Sequence, residues 1–293
     1  MTDYWLRRRL SIATLLGLFI LSIHSLPALA EIVEAKLPTG IIAAADFRTG
    51  KSSRPAIITI SGFLQNRESP PMSSLANTLL DHGYTVLSPT LSLGIHHRIK
   101  SLGCEAAHTH TKDDGIAEIN FWTNWLTHKG YHRVILIGHS SGGLQILQYL
   151  TQKPNPAIKQ AILVSPVTLR TNPQEAQTTA ARLKSGQISG KELKHFTLGY
   201  CNTNYVSLPA AYLSYVADDN KILSQFDKAK VPVEAILGAA DTAMPPDWPE
   251  KIRAHGSLVT VVTGANHFFD GPQEFDLADK VVSILNTLPA GTK

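Results

Sequence analysis

The chain is 293 residues long, 43% hydrophobic and 17% charged, with a formal charge of +4 at neutral pH. Half of that charge lies in the first thirty residues, where Arg7, Arg8 and Arg9 outweigh Asp3, and the remainder carries only +2. That balance excludes the basic footprint of a nucleic-acid-binding protein, while the roughly 260 residues after position 30 suffice for one α/β domain with a large core.

In chain order, Arg7-Arg8-Arg9 precede an apolar run from Leu10 to about Ile23, and Pro27-Ala28-Leu29-Ala30 stands before Glu31. Basic, apolar and small residues in that order predict a secretory signal peptide over residues 1–30, cleaved after Ala30. The run is shorter than the ~20 residues of a bilayer span, so no stable membrane anchor is expected after cleavage. No cysteine stands directly after the cleavage site to take a lipid. The arginine pair also permits a twin-arginine reading, although Leu6 occupies a place where a polar residue is usual. The mature chain is therefore expected in the periplasm or the outside medium. Its two cysteines, Cys104 and Cys201, either pair in that oxidising compartment or remain as buried thiols.

Residues 31–293 read as a single domain. Ile32 to Lys36 and Ile41 to Phe47 are short strands around the Pro38-Thr39-Gly40 turn, an antiparallel start to a sheet. From Pro55 onward apolar strands alternate with amphipathic helices. Strands are predicted at Ala56 to Ile60, Tyr84 to Ser88, Val134 to Ile137, Ala161 to Val164, Val233 to Leu237 and Leu258 to Val262. Their continuous apolar character means that both faces are covered, as in a mostly parallel sheet between helices. Helices are predicted at Ser73 to His82, at Asp113 to Leu126 with Ile116, Ile119, Trp122 and Leu126 on one face, and at Phe275 to Leu288. The stretch of about 168–220 is too long for a strand-to-helix loop and reads as a largely helical cap insertion, with a helix at Gln174 to Leu183. Its Tyr200, Tyr205, Leu208, Tyr212, Leu213 and Tyr215 either pack the cap onto the domain or line a pocket.

Chemistry concentrates at three strand ends. Gly138-His139-Ser140-Ser141-Gly142 follows an apolar strand and opens a helix. A serine in such a turn takes a strained backbone that exposes its hydroxyl, and flanking glycines avoid the clash. Asp241 stands beyond the strand ending at Leu237, and His267 beyond the one ending at Val262. A serine hydroxyl needs a general base, and the base needs a carboxylate to hold its tautomer. The order Ser140, Asp241, His267 resembles that of the α/β-hydrolase superfamily over nearly all of the mature length. The resemblance implies Ser140 as nucleophile, His267 as base and acid, and Asp241 as orienting carboxylate, ahead of the competing Asp218, Asp219 and Asp247. It also implies an oxyanion hole from the backbone N–H groups of Ser141 and Phe63, with Leu64 as the alternative to Phe63. Ser61 replaces the histidine that many relatives carry before the corresponding glycine.

His96, His97, His108 and His110 share one loop with Cys104 and Glu105 but lack zinc spacing. They read as a solvated or hydrogen-bonded loop, with no metal expected. The whole implies an exported, esterase- or lipase-like serine hydrolase acting on a small-molecule ester or acyl substrate, without cofactor. A peptide, amide or thioester bond, or a non-catalytic binding role on the same fold, remains compatible with the residues.

Overall fold

In a computed structural model the described residues are 31–51 and 53–288. The predicted signal peptide lies outside them. Among the described residues no helix is long and apolar enough to cross a membrane.

Among the described residues eight strands form one sheet. They are β1 (Glu31–Lys36), β2 (Ile42–Arg48), β3 (Ala56–Ile60), β4 (Thr85–Thr90), β5 (Val134–His139), β6 (Ile158–Val164), β9 (Val233–Gly238) and β10 (Leu258–Val262). Two short strands between β6 and β9 form a separate pair, β7 (Lys194–Phe196) and β8 (Tyr205–Ser207). The main sheet runs β1-β2-β4-β3-β5-β6-β9-β10. β2 pairs antiparallel with both β1 and β4, and the remaining pairings are parallel.

Every residue of β3, β4 and β5 is buried, as continuous apolar runs require when helices cover both faces. Alternation decides which layer each residue joins. Ile57, Val86, Ile135, Ile137, Ile162 and Ile236 face α1 (Met72–Asp81) and α8 (Gln273–Asn286). Ile58, Leu87, Leu136, Leu163, Ala235 and Leu237 face the other layer, built from α2 (Lys112–His128), α3 (Ser141–Thr151), α6 (Asp219–Lys228) and α7 (Trp248–Ala254). The predicted apolar stripe of α2 is buried throughout. At about 1.5 to 3 kcal/mol for each large apolar side chain removed from water, these two layers supply the main stabilisation and hold the strand ends in register. Thr111 starts α2 with a capping box to Asp114.

Between β6 and α6 the chain forms α4 (Pro173–Lys184), the β7–β8 pair, a 3₁₀ turn (Gly199–Asn204) and α5 (Pro209–Tyr215). The insertion is thus less helical than its sequence suggests. Strands of three residues are too short to show alternation, so the pair is invisible to periodicity. Phe196 stacks on Tyr212 with ring centroids 4.1 Å apart. Cys104 is bonded to Cys201, with Cα atoms 5.4 Å apart. That bond ties the insertion to the loop following β4.

Candidate active site

Ser140 lies between β5 and α3 at φ 52°, ψ −124°, a conformation that costs an L-residue of order 1–3 kcal/mol and persists only where surroundings enforce it. They do so by close packing. A Cβ on Gly142 would collide with the carbonyl oxygen of Ser61, and one on Gly138 would lie 2.8 Å from the Gly143 nitrogen. The strand, turn and helix therefore pass at backbone contact, and Ser140 is pushed to the sheet's C-terminal edge. Its N–H is anchored to the Val164 carbonyl at 2.8 Å.

Asp241 and His267 arrive from two neighbouring loops that are laced together. The Ala239 N–H donates to Val262 and the Ala240 N–H to Ala265, at 2.9 and 2.8 Å. Asn266 shapes the second loop, its Oδ1 accepting from the Phe268 and Asp270 N–H groups. His267 consequently spans the gap, with Nδ1 2.8 Å from Asp241 Oδ2 and Nε2 3.0 Å from Ser140 Oγ. Nδ1–H donates to the carboxylate, which leaves Nε2 free to accept from the serine hydroxyl. Burial pushes the Asp241 carboxyl up, but the hydrogen bond and charge of His267 and the Ala243 N–H outweigh it, so the group lies below the usual carboxylate range. It is ionised where it must be to orient an imidazole.

The competing carboxylates are occupied elsewhere. Asp218 caps α6 by accepting from Asn220 and Lys221. Asp219 accepts from Thr168 Oγ1 at 2.8 Å, and Asp247 pairs with Lys251.

Phe63 sits in a turn closed by the Gln65 N–H donating to the Gly62 carbonyl at 3.1 Å, with Leu64 at φ 58°. Among the described residues the N–H groups of Phe63, Leu64 and Ser141 make no hydrogen bond to other protein atoms. Phe63 and Ser141 line the same small cavity, about 20 Å³, with Gln65, Arg98, Gln145 and Tyr215 around it. Backbone donors without internal partners, one of them on the residue next to a strained serine, can receive charge that develops on an attacked carbonyl.

His139 is a participant that the sequence reading passed over. Its ring is fully buried, and Nε2–H donates to the His267 carbonyl at 2.9 Å. Burial, with the neighbouring His267, lowers its pKa to about 4, so it is a neutral donor that pins the main chain at His267. The hydrogen bond joins residues 128 apart in sequence, and only the motif position beside Ser140 could have drawn attention to it.

The histidine loop divides in two. His96 and His97 are exposed, in keeping with a solvated loop, but His108 and His110 are buried. His108 stacks on Tyr205 at 4.4 Å and bonds the Gly103 carbonyl. His108 thus takes the hydrogen-bonded form of the expectation, and neither of these two is solvated, because the disulfide and the β8 strand fold the loop's far end under the insertion. Most of the insertion's aromatics pack: Tyr205, Tyr212 and Tyr215 form one buried cluster with Phe63 and Phe196. Tyr215 also lines the cavity at Ser141.

Residues 58–279 match the model of a family described as the alpha/beta hydrolase family. No curated protein sequence matches the chain. Among solved structures, it is similar to the alpha/beta hydrolase GrgF from Penicillium sp. sh18, at TM-score 0.69 and 15% identity over 87% of this chain and 97% of that one. It is also similar to a monoacylglycerol lipase from Paleococcus ferrophilus, at TM-score 0.62 and 17% identity over 87% and 98%. Est1E from Butyrivibrio proteoclasticus gives TM-score 0.58 and 17% identity over 88% and 99%. At such identities the likeness is one of fold.

Proposed function

The chain belongs to the alpha/beta hydrolase family, and on that premise we propose that it is an exported serine hydrolase cleaving carboxylic esters through an acyl-enzyme on Ser140. The reading is carried by one observation, the hydrogen-bonded series Ser140–His267–Asp241 at 3.0 and 2.8 Å.

Ser140 Oγ attacks the ester carbonyl as His267 Nε2 takes its proton, and Asp241 stabilises the imidazolium that forms. Negative charge on the former carbonyl oxygen is met by the N–H groups of Phe63 and Ser141. His267 then gives its proton to the leaving alcohol, takes one from water as the water oxygen displaces the acyl group from Ser140, and returns that proton to Ser140 Oγ. Protons and electron pairs balance with no further reactant, so this mechanism calls on no metal or organic cofactor.

The unit performing this chemistry is the domain from Glu31 to Lys293, with residues of about 168–220 as its cap. Export rests on the basic and apolar leader and is supported by the Cys104–Cys201 bond, which suits an oxidising compartment.

The experiment is turnover of p-nitrophenyl esters from acetate to long-chain acyl, beside matched thioesters, amides and peptides, with His267→Ala as control. Ester turnover that is lost in the variant supports the reading. Faster cleavage of the thioester, amide or peptide series would reassign the scissile bond, and a folded chain that cleaves none of them would remove the catalytic role.

A further inference from the structure

The turn that offers the Phe63 N–H is gripped from two sides by residues outside the motif. Arg98 is 4% exposed, and among the described residues its guanidinium forms no salt bridge. Instead it donates to three main-chain carbonyls, Leu91 and Leu64 at 2.6 Å and Gln65 at 3.0 Å. The Leu64 carbonyl also accepts from the Leu102 N–H at 3.0 Å. On the other side the Tyr200 hydroxyl donates to the Phe63 carbonyl at 3.2 Å, and the Tyr200 ring lies edge-on to Phe63.

The consequence follows from peptide planarity. Fixing a carbonyl fixes the N–H of the same peptide unit. Arg98 and Leu102 hold the Leu64–Gln65 unit, whose Gln65 N–H donates to the Gly62 carbonyl and so fixes the unit bearing the Phe63 N–H. Tyr200 holds the Phe63–Leu64 unit, which bears the alternative donor. Gln65 completes the frame, its Oε1 accepting from the Gly62 N–H at 2.9 Å. Every peptide plane from Gly62 to Gln65 is thereby held by a named partner.

The two grips are covalently joined. Arg98, Leu102 and Cys104 belong to one loop, Tyr200 adjoins Cys201, and Cys104 is bonded to Cys201. A buried guanidinium suits this task because its planar fork reaches several acceptors at once, which an ammonium cannot. Burial draws the Arg98 pKa down to about 10, opposed by the nearby charge of Glu118, and the group remains a cation at neutral pH.

We propose that Arg98 and Tyr200 are positioning residues for the oxyanion turn, and that the Cys104–Cys201 bond keeps Tyr200 at its post. The inference rests on the serine hydrolase reading and adds residues to which neither the motif nor the family match points. Tyr200 does not line the cavity at Phe63 and Ser141 and acts through the turn, so its loss weakens stabilisation of the tetrahedral species and leaves ground-state binding alone.

Tyr200→Phe carries the test, since the residue is 60% exposed and its loss leaves the core intact. Removing one oxyanion donor outright costs about 100-fold or more in kcat, so freeing the Phe63–Leu64 plane, which adjoins the plane bearing the Phe63 N–H, is expected to cost roughly 3- to 10-fold. KM should stay within about twofold, and inhibition by an alkyl boronic acid, whose serine adduct is an anionic tetrahedron, should weaken by the same factor as kcat. Arg98→Lys should lose more, per active site counted by titration. Reducing the disulfide should slow the parent and leave Tyr200→Phe nearly unaffected, the non-additivity of a shared pathway.

Parent-like kcat and boronate affinity in Tyr200→Phe would overturn the inference, as would reduction that slows both proteins equally. A parent that neither turns over esters nor reacts at Ser140 would instead bring down the hydrolase reading beneath it. An active parent with an indifferent Tyr200→Phe would end this inference alone.

Discussion

Around Ser140 close backbone packing fixes the geometry, whereas the insertion between β6 and α6 is held by short main-chain ladders, side chains and one covalent bond. The elbow is bounded by strands buried on both faces and by glycines at which a Cβ would strike main chain. The insertion has a two-stranded pair of three residues each, a stacked Phe196–Tyr212 and the Cys104–Cys201 bridge. One region tolerates almost no local change. The other can be loosened without disturbing the sheet, and selectivity in such a molecule is expected to reside there.

The largest effect that would sharpen the contrast is expected from Asp241→Asn, which keeps the shape of the site but removes the charge that fixes the His267 tautomer. It should lower kcat by about 10⁴-fold with little change in thermal stability, measured by steady-state kinetics and calorimetry. Gly142→Ala comes next, because a methyl group there displaces the Ser61 carbonyl, and with it the path of the turn from Gly62 to Gln65. Since a misplacement of about 1 Å can cost ~100-fold, activity should fall by at least that and the melting temperature should drop as well. An active, stable Gly142→Ala protein would break the claim that the elbow is set by backbone contact.

The matching change in the other region is Cys104→Ser with Cys201→Ser. The bridge closes a loop of 97 residues, for which chain entropy allows stabilisation up to about 4–5 kcal/mol. The melting temperature should fall by roughly 10 °C, and limited proteolysis should cut first within the insertion while the sheet survives. Cleavage beginning in the main domain would contradict the division.

How much of this was legible in the sequence divides along the same line. The strands, the elbow and the series Ser140, Asp241, His267 follow from short-range pattern, since apolar runs, glycine spacing and strand-end position are local properties. Asp218 was readable as a rival only until its role as the α6 cap was visible. Arg98 gives no local hint of burial, standing amid exposed Ile95, His96, His97, Ile99 and Lys100. His139 and Tyr200 likewise act through hydrogen bonds to residues more than 120 positions away. Contacts of that kind are made by folding, and no period in the sequence announces them.

A further expected effect is on stability with pH. His139 and His110 are buried, and their pKa values are drawn down to about 4 and about 3 by burial. Below about pH 6.5 the unfolded chain takes up protons that the folded state refuses, so stability falls as pH drops, by about 1.4 kcal/mol per unit for each group. Denaturant melts between pH 7.5 and 5 should show that slope, shallower in His110→Gln. A flat profile would mean that these histidines are not sealed as described.

The measurement that bears most directly on the account is reaction of the folded protein with a fluorophosphonate, read by intact mass and peptide mapping, beside Ser140→Ala. One adduct per chain, mapped to Ser140 and missing from the variant, is the predicted result. A folded parent without an adduct, or with one on another serine, would contradict the assignment of Ser140 as the nucleophile.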